Sequence, residues 1–163
     1  MPLPAAQRGM FFEEFSAGQK VVTMGRTVTE ADVVSFAGLS GDFNQIHTDG
    51  AYARGTPYGQ RIAHGLCVLS IASGLAVQTG IMEGTVLAFR EILEWKFSQP
   101  VFFGDTIHVV LEVIETKPLP RLGAGAVTLT LDVLNQDGKS VQKGKWSVLM
   151  LAQPKPIAEP AAA

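Results

Sequence analysis

A chain of 163 residues with 47% apolar and 17% charged content is long enough for one domain with a real hydrophobic core, and its composition is that of a globular protein. Its formal charge is −2, with no run of Lys or Arg longer than one residue, which argues against nucleic acid as a partner because phosphate neutralisation needs clustered cations. The single cysteine, Cys67, excludes an intrachain disulfide and a cysteine-based zinc cluster, and fits a reducing cytoplasm.

Met1 to Met10 has one Arg and no apolar core segment, so it does not read as a secretory signal. Residues 1–19 form a lead-in, with Phe11, Phe12 and Phe15 as anchors to the body. Lys20 to Thr27 reads as a strand, with β-branched Val21, Val22 and Thr23 after a Gly18 turn. Thr29 offers an N-cap, and Glu30 and Asp32 fall in the first turn, where the helix dipole favours acid. Val33, Val34, Ala37 and Leu39 then keep helical spacing until Gly38 and Gly41 end the helix. The next stretch, Ser40 to His47, places a carboxylate, an amide and an imidazole on one loop. Thr48 to Gln60 is rich in Gly, Thr, Tyr and Pro, with at most a helical turn around Asp49–Ala53.

Ile62 to Met82 contains no Asp, Glu, Lys or Arg and is long enough to span a bilayer. His64, Gln78, Ser70, Ser73, Thr79 and the glycines Gly65, Gly74 and Gly80 make it poor in lipophilic residues. It reads instead as a helix over Leu66 to Gln78, buried on all sides within the domain. After Gly84 the period becomes two. Leu87, Phe89, Leu93, Trp95 and Phe97 share odd positions, and Pro100 and Gly104-Asp105 follow. Ile107 to Val113, Val127 to Val133 and Trp146 to Met150 alternate in turn, with a hairpin turn at Gln136 to Lys139. The links are too short for crossovers, so the strands run antiparallel, each with one wet face. A sheet wrapped around one apolar helix accommodates this order, an α+β architecture. Residues 1–152 make a single domain, and the Pro- and Ala-rich tail 153–163 reads as disordered.

At this point a family pattern emerges. Phe36-x-x-Leu39-Ser40-Gly41-Asp42-x-Asn44-x-Ile46-His47, with Ala53 six residues on, resembles the motif of the MaoC-like, (R)-specific enoyl-CoA hydratases. His64-Gly65 at the head of the long helix, Ser73, and Pro100-Val101-x-x-Gly104-Asp105 are similar to that family as well. The resemblance covers residues 10 to 150. It implies a hot-dog fold, a long helix wrapped by a curved antiparallel sheet, and dimers whose sheets join edge to edge. It departs from the motif at Gln45, where the family has proline.

Hydration of an enoyl thioester needs a base for water, an acid for the α-carbon and charge relief at the thioester oxygen. Asp42 and His47 supply the first two, with free pKa values of about 3.9 and about 6.5, and in a dry pocket can exchange the roles of acid and base. By the resemblance, both touch the catalytic water. Asn44 fixes the loop or orients the pair. The Gly65 N–H, at a helix N-terminus, supplies charge relief for a developing enolate, and glycine lets the thioester approach. Taken singly, Asp42 is an ordinary turn former, His64 a structural histidine, Ser73 a core serine bonded back to its own helix and His108 a surface residue. The family match gives Ser73 and His64 a supporting, substrate-side place.

Other chemistries fit less well. Asp42-x-Asn44 begins like a calcium loop, but Ile46 and His47 stand where a ligand and a glycine are needed. Gly38-x-Ser40 lacks the second glycine of a nucleophile elbow. No metal ligand set or redox cofactor motif is expected. The expected partner is an acyl-CoA or acyl-carrier-protein substrate, whose phosphates Arg54, Arg61, Arg90 and Lys96 could meet, with a second copy of the chain and no membrane. A hot-dog thioesterase and a non-catalytic acyl-binding domain are the rival readings.

Overall fold

The computed structural model describes residues 9–154, so readings of residues 1–8 and 155–163, most of the expected disordered tail included, lie outside the described residues. After a 3-10 turn at Phe12–Glu14 come β1 (Lys20–Val22), β2 (Arg26–Thr27) and α1 (Glu30–Ser40). Then come two short helices, α2 (Gln45–Thr48) and α3 (Gly50–Arg54), and the long α4 (Gly65–Gln78). Four strands complete the chain: β3 (Val86–Phe97), β4 (Thr106–Leu119), β5 (Ala124–Leu134) and β6 (Ser140–Leu151).

α1 begins in a reciprocal cap: Thr29 Oγ1 accepts from the Asp32 N–H at 3.3 Å, and Asp32 Oδ2 accepts from the Thr29 N–H at 2.8 Å. It ends at Gly41, whose φ of 76° is left-handed and whose N–H reaches the Ala37 carbonyl at 2.8 Å. Gly38 lies inside the helix rather than ending it, because only Gly41 takes the left-handed conformation a C-cap uses. The expected strand over Lys20–Thr27 is two pieces, β1 and β2. Between them the Thr23 hydroxyl accepts from the Val109 N–H at 2.9 Å, a side chain standing in for the backbone ladder.

The sheet is antiparallel in every pairing, in the order β1-β4-β5-β6-β3, with β2 also on β4. Cys67, Val68, Ile71, Ala72, Leu75 and Ala76 of α4 sit in one core with Val109, Leu111, Leu129, Leu131 and Trp146 of the sheet. Each large apolar side chain so buried stabilises the fold by about 1.5–3 kcal/mol. A sheet wrapped around one central helix is the α+β architecture expected.

Three expectations are corrected. α4 is not buried on all sides: Leu66 is 59% exposed and Ser70, Gly74 and Val77 are exposed with it, forming one open stripe. β3 lacks the expected single wet face, since it is an edge strand paired on one side only, and Leu87, Phe89, Ile92 and Phe97 are all exposed. Finally, β3 and β4 are consecutive but not neighbours. Their link, residues 98–105, crosses the open end of the sheet and passes the start of α4, where the Ala63 N–H donates to the Val101 carbonyl at 2.8 Å and Ile62 bridges Phe102. No helix among the described residues is long and apolar enough to cross a membrane.

Candidate active site

The left-handed Gly41 turns the chain out of α1 and directly into Asp42, so the carboxylate stands at the mouth of the loop, exposed. Asp42 Oδ1 accepts from the Asn44 N–H at 3.2 Å, and Asn44 Oδ1 in turn accepts from the Ile46 N–H at 3.2 Å. Asn44 is therefore the N-cap of α2. His47 is thereby carried on a helical turn rather than on a loop. Gln45 occupies the first position of that turn, where a missing proline costs little because its N–H has no intrahelical partner in any case.

His47 is 8% exposed and His64 2%. His47 Nδ1 lies 2.8 Å from the Ile62 carbonyl. A carbonyl only accepts, so Nδ1 carries the hydrogen and Nε2 of the neutral ring keeps its lone pair. By the same reasoning, His64 Nε2–H donates to the Asp42 carbonyl at 2.8 Å, which leaves Nδ1 as a buried acceptor with no protein donor among the described residues. The two rings stack at 3.8 Å with 30° between their planes, and Phe36 backs His64 at 5.1 Å. Burial pushes the His47 pKa below its ordinary 6.5. The Ile62 carbonyl pulls it back up, the His64 ring pushes it further down, and Asp42 opposes that push.

A carboxylate oxygen of Asp42 and one ring nitrogen each of His47 and His64 come within 4.8 Å of one another. The set offers an ion three ligand atoms, one from each residue. The same closeness lets Asp42 and His47 share one water.

Gly65 follows His64 as the first residue of α4, and no side chain caps this helix end, so its leading N–H groups remain available to an anion. A cleft opens beside it, lined by Tyr58, Phe97, Gln99 and Gln142. A Cβ on residue 65 would lie 2.7 Å from the Phe97 ring, so glycine lets that ring pack against the helix start. Ser73 is not part of this cluster. It stands eight residues further along α4, about 12 Å by helix rise, in an apolar cleft with Met82, Phe89 and Trp146. The back-bonded serine is instead Ser70, whose hydroxyl donates to the Leu66 carbonyl at 2.8 Å.

Asp42, His47 and His64 therefore form one cluster at the start of α4, and of the groups named Gly65 is the one that also lines the cleft. Residues 13–134 match the MaoC like domain family. The chain belongs to the MaoC-like dehydratase family. It is 42% identical to protein MaoC of Klebsiella aerogenes over 62% of its own length, but spans only 30% of that longer protein. A 3-hydroxybutyryl-CoA dehydratase of Methylorubrum extorquens is 32% identical, with 83% of this chain and 85% of that protein covered. An (R)-specific enoyl-CoA hydratase of Aeromonas caviae is also 32% identical, with 83% and 96% covered. Among solved structures, the (R)-hydratase PhaJ1 of Pseudomonas aeruginosa superposes with a TM-score of 0.74 at 31% identity, covering 95% of this chain and 96% of its own. A double hot-dog protein of Mycobacterium tuberculosis, 20% identical with a TM-score of 0.79 over 96% of this chain and 48% of that one, shares the fold. The fold of this MaoC-like chain is the hot-dog fold.

His64, expected in a supporting place, ties the Asp42 loop to the start of α4. A second contributor was not legible from the motif. Gln142, 2% exposed, reaches the same helix start from β6. Parity held the signal for the second: Gln142 and Gly144 continue the even-numbered face of Trp146, Val148 and Met150, and an amide on a core face needs partners.

Proposed function

We propose that this chain hydrates trans-2-enoyl thioesters and, in reverse, dehydrates (R)-3-hydroxyacyl thioesters, with an acyl-CoA as the substrate. It would act as a hydro-lyase through Asp42 and His47 on one water. The observation that carries the reading is the approach of the exposed Asp42 carboxylate and one ring nitrogen of the buried His47 to within 4.8 Å, next to the uncapped start of α4. The water oxygen bonds to the β-carbon while one of its protons passes to His47 Nε2, and Asp42 holds the other hydrogen and stabilises the imidazolium. The double-bond electrons move into the thioester, whose enolate oxygen accepts from the Gly65 N–H. The α-carbon then takes the proton back on the same face, a syn addition that returns both residues to their starting states. Asn44 and His64 hold the pair in place, and no metal or redox cofactor takes part. Ser73 contributes from the acyl side.

The test is incubation with crotonyl-CoA. Loss of the enoyl absorbance with (R)-3-hydroxybutyryl-CoA as the product supports hydration. Release of free thiol identifies a thioesterase, and neither change identifies an acyl-binding domain. Both of these outcomes refute the proposal.

A further inference from the structure

We infer that Gln142 is the positioning residue of the Gly65 N–H, held in its working orientation by Trp95 and by the bulge that turns Trp95 inward. The inference rests on the reading that the thioester oxygen lies on that N–H. Gln142 Nε2 donates to the Gly65 carbonyl at 2.9 Å, and Gln142 Oε1 accepts from Trp95 Nε1 at 3.2 Å. An amide with both ends engaged cannot flip, so the donor is kept facing the helix.

Gly65 is where such a constraint is needed. Without a Cβ it has the softest backbone in the first turn, and no side chain caps that turn. Its predecessor is pinned because His64 donates to the Asp42 carbonyl. Its own carbonyl is pinned by Gln142. The N–H shares its peptide plane with the His64 carbonyl, which accepts from the Val68 N–H at 3.1 Å, and Gln142 adds to this by fixing the rotation between that plane and the Gly65 carbonyl. A donor that is fixed before charge develops needs no reorganisation during the reaction.

The sheet is deformed at the place that holds this amide. In the β3–β6 ladder Leu93 pairs with Lys145 and Lys96 with Lys143, so Glu94 and Trp95 both stand opposite Gly144. This is a bulge of two residues against one. Glu94 has a φ of 52°, the sole positive value on a non-glycine residue among those described, and Lys145 holds its carboxylate at 2.8 Å. A Cβ on residue 144 would lie 2.4 Å from Trp95 Cε3, so Gly144 makes room for the indole. Trp95 is half-buried although most of β3 is exposed. A left-handed Glu costs on the order of 1 kcal/mol, and what the bulge accomplishes is to aim one indole N–H at Gln142.

The test reads carbonyl polarisation, which an amide that merely fills the core would not alter. Cinnamoyl-CoA is bound to the full-length Asp42→Asn protein, where it is not turned over, and its absorption band is compared with that of the free thioester. A red shift is expected from the Gly65 N–H, and it should collapse when Gln142→Leu or Gln142→Glu is added, with the probe still bound. The Leu variant loses both bonds, whereas the Glu variant, when ionised, keeps an acceptor for Trp95 and loses the donor to Gly65. In the otherwise wild-type chain, both substitutions should lower kcat for crotonyl-CoA by about 10- to 100-fold with KM changed far less. Trp95→Phe, which keeps an aromatic ring and removes the N–H, should give a smaller loss of the same kind and serves if a Gln142 variant does not fold. A shift that survives in the Gln142 variants, or in Trp95→Phe where they do not fold, overturns the inference and leaves the Gly65 reading intact. No shift in Asp42→Asn itself overturns both, since Gln142 would have no polarising donor to position.

Discussion

Gly65→Ala separates stability from chemistry at the start of the central helix. The added Cβ would lie 2.7 and 2.8 Å from Phe97 Cδ1 and Cε1, against a normal carbon contact of about 3.5–4.0 Å, so the ring must retreat by about 1 Å. Phe97 is 54% exposed and can swing outward without disturbing the core, which puts the cost near the low end of overpacking, about 1 kcal/mol. Gly65 is not among the positive-φ glycines, so alanine fits the backbone and restores about 0.5–1 kcal/mol of helix propensity. The two effects nearly cancel, and Tm should move by no more than about 4 °C. Activity should not be spared. The displaced Phe97 ring, which lines the cleft beside Gly65, would crowd a thioester seated on the N–H, and loss of such a donor costs about 10²–10³ in rate. The check is kcat/KM for crotonyl-CoA measured beside thermal unfolding. Near-normal kcat/KM in a folded Gly65→Ala protein would refute the placement of the thioester against Gly65.

Asp42→Asn and His47→Gln should each lower kcat by about 10²–10⁴ while far-UV circular dichroism stays native. Near-normal turnover in either variant defeats the two-residue mechanism. Because burial holds the His47 pKa below 6.5, kcat/KM should be flat above that pH and fall on an acid limb below it. The same depression makes the unfolded chain bind more protons just below pH 6.5, so stability declines as pH falls through the folded pKa. His47→Gln should remove that slope, and an unchanged slope in urea melts across that range would show that another group causes it. Asn44→Ala removes the cap of α2 and should cost about 1 kcal/mol with a fall in kcat, both read on one sample. The apolar edge of β3 is expected to pair two copies of the chain. Sedimentation should therefore show a dimer that Phe89→Lys weakens, and a monomeric wild type would refute this.

Much of the fold was legible because period and punctuation are local properties. Alternation marked the strands from Ile107 onward, and the start of α1 could be read from Thr29 and Asp32. The polar triplet Asp42, Asn44 and His47 was legible as one local cluster because its spacing is short. The reading failed where a property depended on a distant partner. β3 looked like a strand with one wet face, since odd-numbered apolar residues say nothing about whether another strand lies beyond the edge. Its bulges also shift the parity that the pattern assumed. Gln142 stayed hidden for a similar reason, as nothing near it in the chain needs an amide.

By itself the sequence determined the α+β composition, the single core helix, and the residue types for acid–base chemistry followed by a glycine-led helix. Those follow from side-chain period, capping and intrinsic acidity, which act over a few residues. Only the tertiary structure decided that His64 joins the Asp42 loop to the helix start, that His47 presents Nε2 rather than Nδ1, and that Gln142 reaches Gly65 from the last strand. Each depends on a hydrogen bond between segments 15 to 77 residues apart. Burial decides only that such a polar atom must find a partner, and the way the sheet closes around the helix decides which one.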